Sequence, residues 1–80
     1  MLWSVEFDAD ILVALKRSNP NALQQQELKR LIVDLHSVTD PEAFGGAYHE
    51  HWAYTFCSTG LLHCKLDKTR RVILIFDVTF

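Results

Sequence analysis

Eighty residues with 49% hydrophobic and 22% charged side chains describe one globular domain, residues 1–80, near the size at which a single core gives only modest stability. No apolar run approaches a membrane span, and the opening Met1-Leu2-Trp3-Ser4-Val5-Glu6 lacks the basic and apolar regions of a signal peptide, so a cytoplasmic protein with no membrane association is expected. A net charge of −2 argues against general affinity for polyanions, and in a cytoplasmic setting the two cysteines, Cys57 and Cys64, read as reduced thiols.

Leu2 to Phe7 alternates Leu2, Ser4 and Glu6 with Trp3, Val5 and Phe7, which suits a first strand. Asp8 or Asp10 can cap a short helix through Arg17, with Ile11, Leu12 and Leu15 as its apolar face. Ser18-Asn19-Pro20 breaks that helix. Asn19 as N-cap, with Pro20 at the first helical position, starts a second helix that runs to about Ser37. Along it Leu28, Leu31, Ile32 and Leu35 recur at three- and four-residue spacing and form one buried stripe. Val38 to Glu50 contains Asp40-Pro41 and Gly45-Gly46, has no stable period, and reads as a long irregular loop.

His51 to Phe80 carries the strongest pattern. Trp52, Tyr54 and Phe56 alternate with Ala53, Thr55 and Cys57; beyond Ser58-Thr59-Gly60, Leu62, Cys64 and Leu66 alternate with Leu61, His63 and Lys65. A basic turn from Asp67 to Arg71 leads to a last strand, Val72 to Phe80, whose Val72-Ile73-Leu74-Ile75-Phe76 is apolar on both faces. The order is strand, helix, helix, strand, strand, strand. This is an α+β chain in which a helical hairpin packs on one face of a mostly antiparallel four-stranded sheet, since connections this short keep the helices on one side. Leu61, Ile73 and Ile75 are then expected on the uncovered face, as an aliphatic patch for a protein partner or a dimer contact.

Four cations gather in or beside one hairpin: Lys65, Lys68, Arg70 and Arg71. They form either a solvated turn or a phosphate-contacting tip. His49-Glu50-His51 raises metal binding, because two histidines one residue apart point the same way on a strand, but the spacing matches no established zinc pattern. A polar loop ending against Trp52 is the ordinary account, and neither a metal nor a cofactor is expected.

Val5-Glu6-Phe7 followed at once by a helical hairpin, the Trp52 to Phe56 strand, Ser58-Thr59-Gly60, and the strand Val72 to Phe80 together resemble the RelE/ParE superfamily of type II toxin–antitoxin toxins, nearest its YoeB-like branch. The resemblance implies an mRNA interferase that cuts messages on the ribosome and is held inactive by an antitoxin packed on the sheet. In that pattern a loop glutamate, a strand arginine and a closing His-Tyr pair act on the ribose 2′-hydroxyl and its phosphate. The glutamate matches Glu42; the arginine falls at Leu61, and the closing pair at Thr79 and Phe80. The lysines of the RelE-type arrangement fall near Ala53 and Thr55.

Leucine cannot stabilise a phosphorane, threonine is no acid or base near neutral pH, and phenylalanine lacks the tyrosine hydroxyl. Enzymatic status therefore stays open. His63 and Asp77, expected on one face of adjacent strands, are the replacement candidates beside Glu42. Asp77 also has a plain reading as a charge that keeps an apolar strand from aggregating. Three functions remain: a ribosome-dependent RNase, a ParE-like gyrase-directed toxin, and a non-catalytic module that binds a protein on the open face.

Overall fold

The computed structural model describes residues 2–80 and contains β1 (Ser4–Phe7), α1 (Ile11–Ser18), α2 (Ala22–Leu35), a 3-10 turn at Pro41–Ala43, β2 (Gly46–Tyr48), β3 (His51–Phe56), β4 (Gly60–Asp67) and β5 (Val72–Thr79). These strands form one sheet in the order β1-β5-β4-β3-β2; β1 runs parallel to β5 and every other neighbouring pair is antiparallel. The α+β class and the helix-covered face agree with the sequence pattern. A fifth strand does not: β2 lies inside the segment expected to be an irregular loop. Three residues are too few to show a period, yet they pair with His51–Ala53.

Local signals mark the end of α1 and the start of α2, whereas Asp10 at the start of α1 makes no side-chain cap bond. Asn21 caps α2, its side chain accepting the Gln24 N–H at 2.8 Å while the Gln24 side chain accepts the Asn21 N–H at 2.8 Å. The cap is therefore Asn21, two residues after the expected Asn19. Asn19 instead closes α1 in the left-handed region at φ 47°, donating its N–H to the Leu15 carbonyl. Pro20 explains the difference, because its ring disfavours right-handed helical geometry at the residue before it, and asparagine tolerates the left-handed alternative. On α1 the buried positions are Ile11 and Ala14; Leu12, expected on that face, is exposed.

The core lies between the helices and one face of the sheet. Ile11, Ala14, Leu28 and Leu35 pack with Tyr54, Phe56, Leu62, Cys64, Ile73, Ile75 and Val78. Ile73 and Ile75 are 0% exposed, which corrects their expected place on the open face. The cause is a bulge in β5. His63 pairs with Asp77 but Cys64 pairs with Ile75, so Phe76 is the extra residue, and the alternation flips there. Val78 on one side of the bulge and Ile75 on the other thus face the same way, towards the helices, whereas Phe76 joins the opposite face. Leu61 is half-buried opposite Thr79. The continuous apolar run in β5 has a simple origin: Ile73 and Ile75 line the core, and Phe76 lies against aromatic rings on the other face.

The segment before β2 is tied down. Tyr54, fully buried, donates its hydroxyl to the Pro41 carbonyl at 2.7 Å, and the Trp52 indole N–H reaches the Phe44 carbonyl at 2.8 Å. Gly45, at φ +70°, completes the approach; a Cβ there would strike the Ala53 carbonyl oxygen. Asp40 accepts the Glu42 N–H at 3.1 Å and starts the 3-10 turn, so Glu42 is held on a fixed support. Among the described residues no helix is long and apolar enough to cross a membrane.

Candidate functional site

The face of the sheet turned away from the helices carries a hydrogen-bonded chain across three strands. His51 Nε2 on β3 lies 2.8 Å from His63 Nδ1 on β4, and His63 Nε2 lies 2.6 Å from Thr79 Oγ1 on β5. Strand register makes this possible. Ala53 pairs with His63 and Leu61 pairs with Thr79, so His51 and Thr79 each sit diagonally from His63, within reach of long or ring side chains. Protons can satisfy the chain in two orders. Either His51 donates to His63 and His63 to Thr79, or the Thr79 hydroxyl donates to His63 and His63 to His51.

Aromatic rings enclose the centre of the chain. Tyr48 lies 5.3 Å from both histidine rings, and Phe76 meets His51 edge-on at 5.0 Å. Lys65 extends over Phe76 with its ammonium 5.3 Å from the ring centre, in a cation–π contact. His63 is left only 6% exposed, while His51 is half-buried and Thr79 is exposed. Solvent and any substrate therefore meet the two ends of the chain more readily than its middle. Burial disfavours the charged imidazolium, and His51 beside it adds repulsion; together they lower the His63 pKa, with Asp77 pulling weakly the other way.

Next to His51 is a polar depression bordered by Glu42, His49, Glu50, Lys65 and Lys68. Glu42 and Lys68 form an ion pair of 2.6 Å across it, and the bond to Glu42 raises the Lys68 pKa. The cationic cluster is thus divided. Lys68 faces Glu42, Arg70 reaches Glu6 on β1 at 3.5 Å, Arg71 is exposed at a left-handed turn position, and Lys65 is the cation beside the histidines.

Of the expected catalytic residues, His63 lies at the centre of the chain, whereas Glu42 borders the depression that His51 also lines, beside Trp52 and Leu66. Asp77 is opposite His63 in register, but the two are not hydrogen-bonded: the Asp77 carboxylate accepts the Val78 N–H at 2.8 Å, and His63 Nε2 is engaged with Thr79. Sequence reasoning did not select His51, although fixing the Phe56–Gly60 hairpin would have set it diagonal to His63. Among the described residues no group of three or more histidine, cysteine, aspartate or glutamate side chains is arranged to hold a metal. Cys57 and Cys64 are free thiols.

No family model matches the chain, and no curated protein matches it in sequence. Among solved structures it is similar to a mutant of the E. coli toxin RelE in the free state, with two arginines replaced by alanine, at a TM-score of 0.66 and 18% identity over 98% of this chain and 82% of the other. At that identity the likeness concerns the fold, which is RelE-like.

Proposed function

We propose that this chain is the toxin-like component of a type II toxin–antitoxin pair, acting in the cytoplasm on messenger RNA at the ribosome and restrained by an antitoxin protein. The observation that carries the reading is the hydrogen-bonded chain His51–His63–Thr79 on the uncovered face of a RelE-like sheet, beside the Glu42–Lys68 pair. The YoeB-like pattern needs an acid or base and a cation where Leu61, Thr79 and Phe80 stand. Two imidazoles and Lys65 supply those chemical types on the same face, from different positions. Burial of Ile73 and Ile75 reduces the aliphatic patch expected on that face to half-buried Leu61 and Leu74, and the residues around the histidine chain are polar or aromatic.

Inducing the chain alone in bacteria tests the reading. Growth arrest with fragmented mRNA, relieved by co-expressing an antitoxin from the adjoining gene, is the expected result. Growth arrest with intact mRNA and blocked supercoiling would point to a gyrase-directed toxin on the same fold, and unimpeded growth with intact mRNA to a binding module.

A further inference from the structure

His51 has one committed nitrogen and one free one. Nε2 is engaged with His63, whereas Nδ1 has no protein hydrogen bond among the described residues. Its ring lines the polar depression that Lys65 and Lys68 border, with half-buried Trp52 on its wall and exposed Tyr48 against the His51 ring. An imidazole, the Lys65 ammonium and flanking aromatic rings match a nucleotide with its phosphate, while Lys68 is held by Glu42: the free cation meets the phosphate oxygens, and unpaired bases stack on the rings. His63 cannot take the substrate-facing role, since its two nitrogens are both occupied and its ring is covered.

Resting on the proposed function, we infer that His51 Nδ1 exchanges a proton with a ribose 2′-hydroxyl of single-stranded RNA, and that buried His63 and exposed Thr79 fix the His51 tautomer as positioning residues. The 2′-hydroxyl gives its proton to Nδ1 while its oxygen bonds to the adjacent phosphorus. The bond from phosphorus to the 5′ oxygen breaks, and the leaving oxygen takes a proton from water. In one concerted shift along the hydrogen-bonded chain, the His51 Nε2 proton moves to His63 Nδ1, the His63 Nε2 proton to the Thr79 oxygen, and the Thr79 hydroxyl proton to water, so that the threonine never carries a charge. One proton leaves the ribose and one reaches solvent, and the products are a 2′,3′-cyclic phosphate and a 5′-hydroxyl.

The charged and titratable groups facing this chain are Asp77 from β5, Lys65 from β4, Tyr48 from β2, His49 and Glu50 from the β2–β3 turn, and the Glu42–Lys68 pair. A change in pH dependence that follows Thr79, which carries no charge, therefore isolates the relay from these neighbours.

The experiment combines cleavage of a reporter mRNA in a cell-free translation reaction, over a pH series, with nitrogen NMR of the imidazole tautomers in the free protein. His51→Gln should lose at least about 100-fold in rate, the low end of what a positioned acid or base supplies, with RNA binding retained. Thr79→Ser should keep the wild-type tautomers and pH profile, whereas Thr79→Val, of the same shape without the hydroxyl, should shift both. If the wild type cleaves and His51→Gln cleaves within about threefold of it, the assignment of His51 is overturned while the toxin reading stands. Unchanged tautomers and pH profile in Thr79→Val overturn the relay. A wild type that leaves no cyclic phosphate ends on translating ribosomes overturns the messenger-RNA reading of the toxin and the substrate with it.

Discussion

Ile75 is where the folded chain departs furthest from the simple alternation of its sequence, and it gives the sharpest stability experiment. Its side chain is 0% exposed and packs in the cluster with Ile11, Leu28, Leu62 and Val78, while the adjacent Leu74 is half-buried on the other face. Truncation to alanine removes the buried methyl and methylene groups and leaves a cavity, at a cost of about 2–5 kcal/mol; Ile75→Val should cost roughly 0.5–1.5 kcal/mol. At 80 residues the whole domain has about 4–12 kcal/mol of stability, so Ile75→Ala consumes a large share of it. The corresponding fall in melting temperature is at least about 8 °C, at about 4 °C or more per kcal/mol for a domain of this size. Ile75→Asp adds the burial of a carboxylate and should leave no cooperative transition. Leu74→Ala should stay within roughly 1 kcal/mol of wild type, as expected for a position away from the core. Urea melts followed by circular dichroism measure all four. A Leu74→Ala loss equal to or larger than that of Ile75→Ala would refute the bulge-dependent placement of β5.

Three further outcomes follow from the same geometry. Tyr54→Phe leaves the Pro41 carbonyl without its buried partner and should cost about 1–3 kcal/mol in a urea melt, with proteolysis near Glu42 accelerated; a neutral change means the hydroxyl does not hold the loop. His63 has a folded pKa below its ordinary value of about 6.5, so it binds fewer protons folded than unfolded. Its contribution to stability is complete above that value and is lost as pH falls from there towards the folded pKa. Urea melts at pH 7.5 and 5.5 should thus have a slope that is smaller in His63→Gln, and an identical slope in the two proteins contradicts the assignment. Burial pushes the Cys64 thiol up to about 12, while Cys57 is half-exposed in the β3–β4 turn. A thiol reagent at pH 8 should modify one cysteine quickly in the native protein and both in denaturant; equal native rates would contradict the burial of Cys64.

Much of the fold is legible in the residues because it rests on local periods. The stripe Leu28, Leu31, Ile32 and Leu35, the alternations around Ser58-Thr59-Gly60, and the shortness of the helix connection are enough to set two helices on one face of a sheet. What escaped depends on register or on single residues. Phe76 bulges out of β5 and reverses the facing of Ile73 and Ile75, and nothing in an unbroken apolar run marks the extra residue. β2 is held by Trp52, Tyr54 and Gly45, which lie outside its own three residues or beside them. His63 was visible as a candidate, but its partners were not: one lies across β3 and the other beyond the bulge. Glu42 was found through family resemblance, and only the folded loop brings it to Lys68.

Whether the histidine face of the sheet cuts RNA through His51 is decided by the ends it leaves on messages. Sequencing the 5′ and 3′ ends of mRNA recovered from a translating extract tests it most directly. Paired 5′-hydroxyl and 2′,3′-cyclic phosphate ends are expected with wild-type protein, and neither with His51→Gln. Intact message with both proteins, or the same ends in equal yield from both, would contradict it.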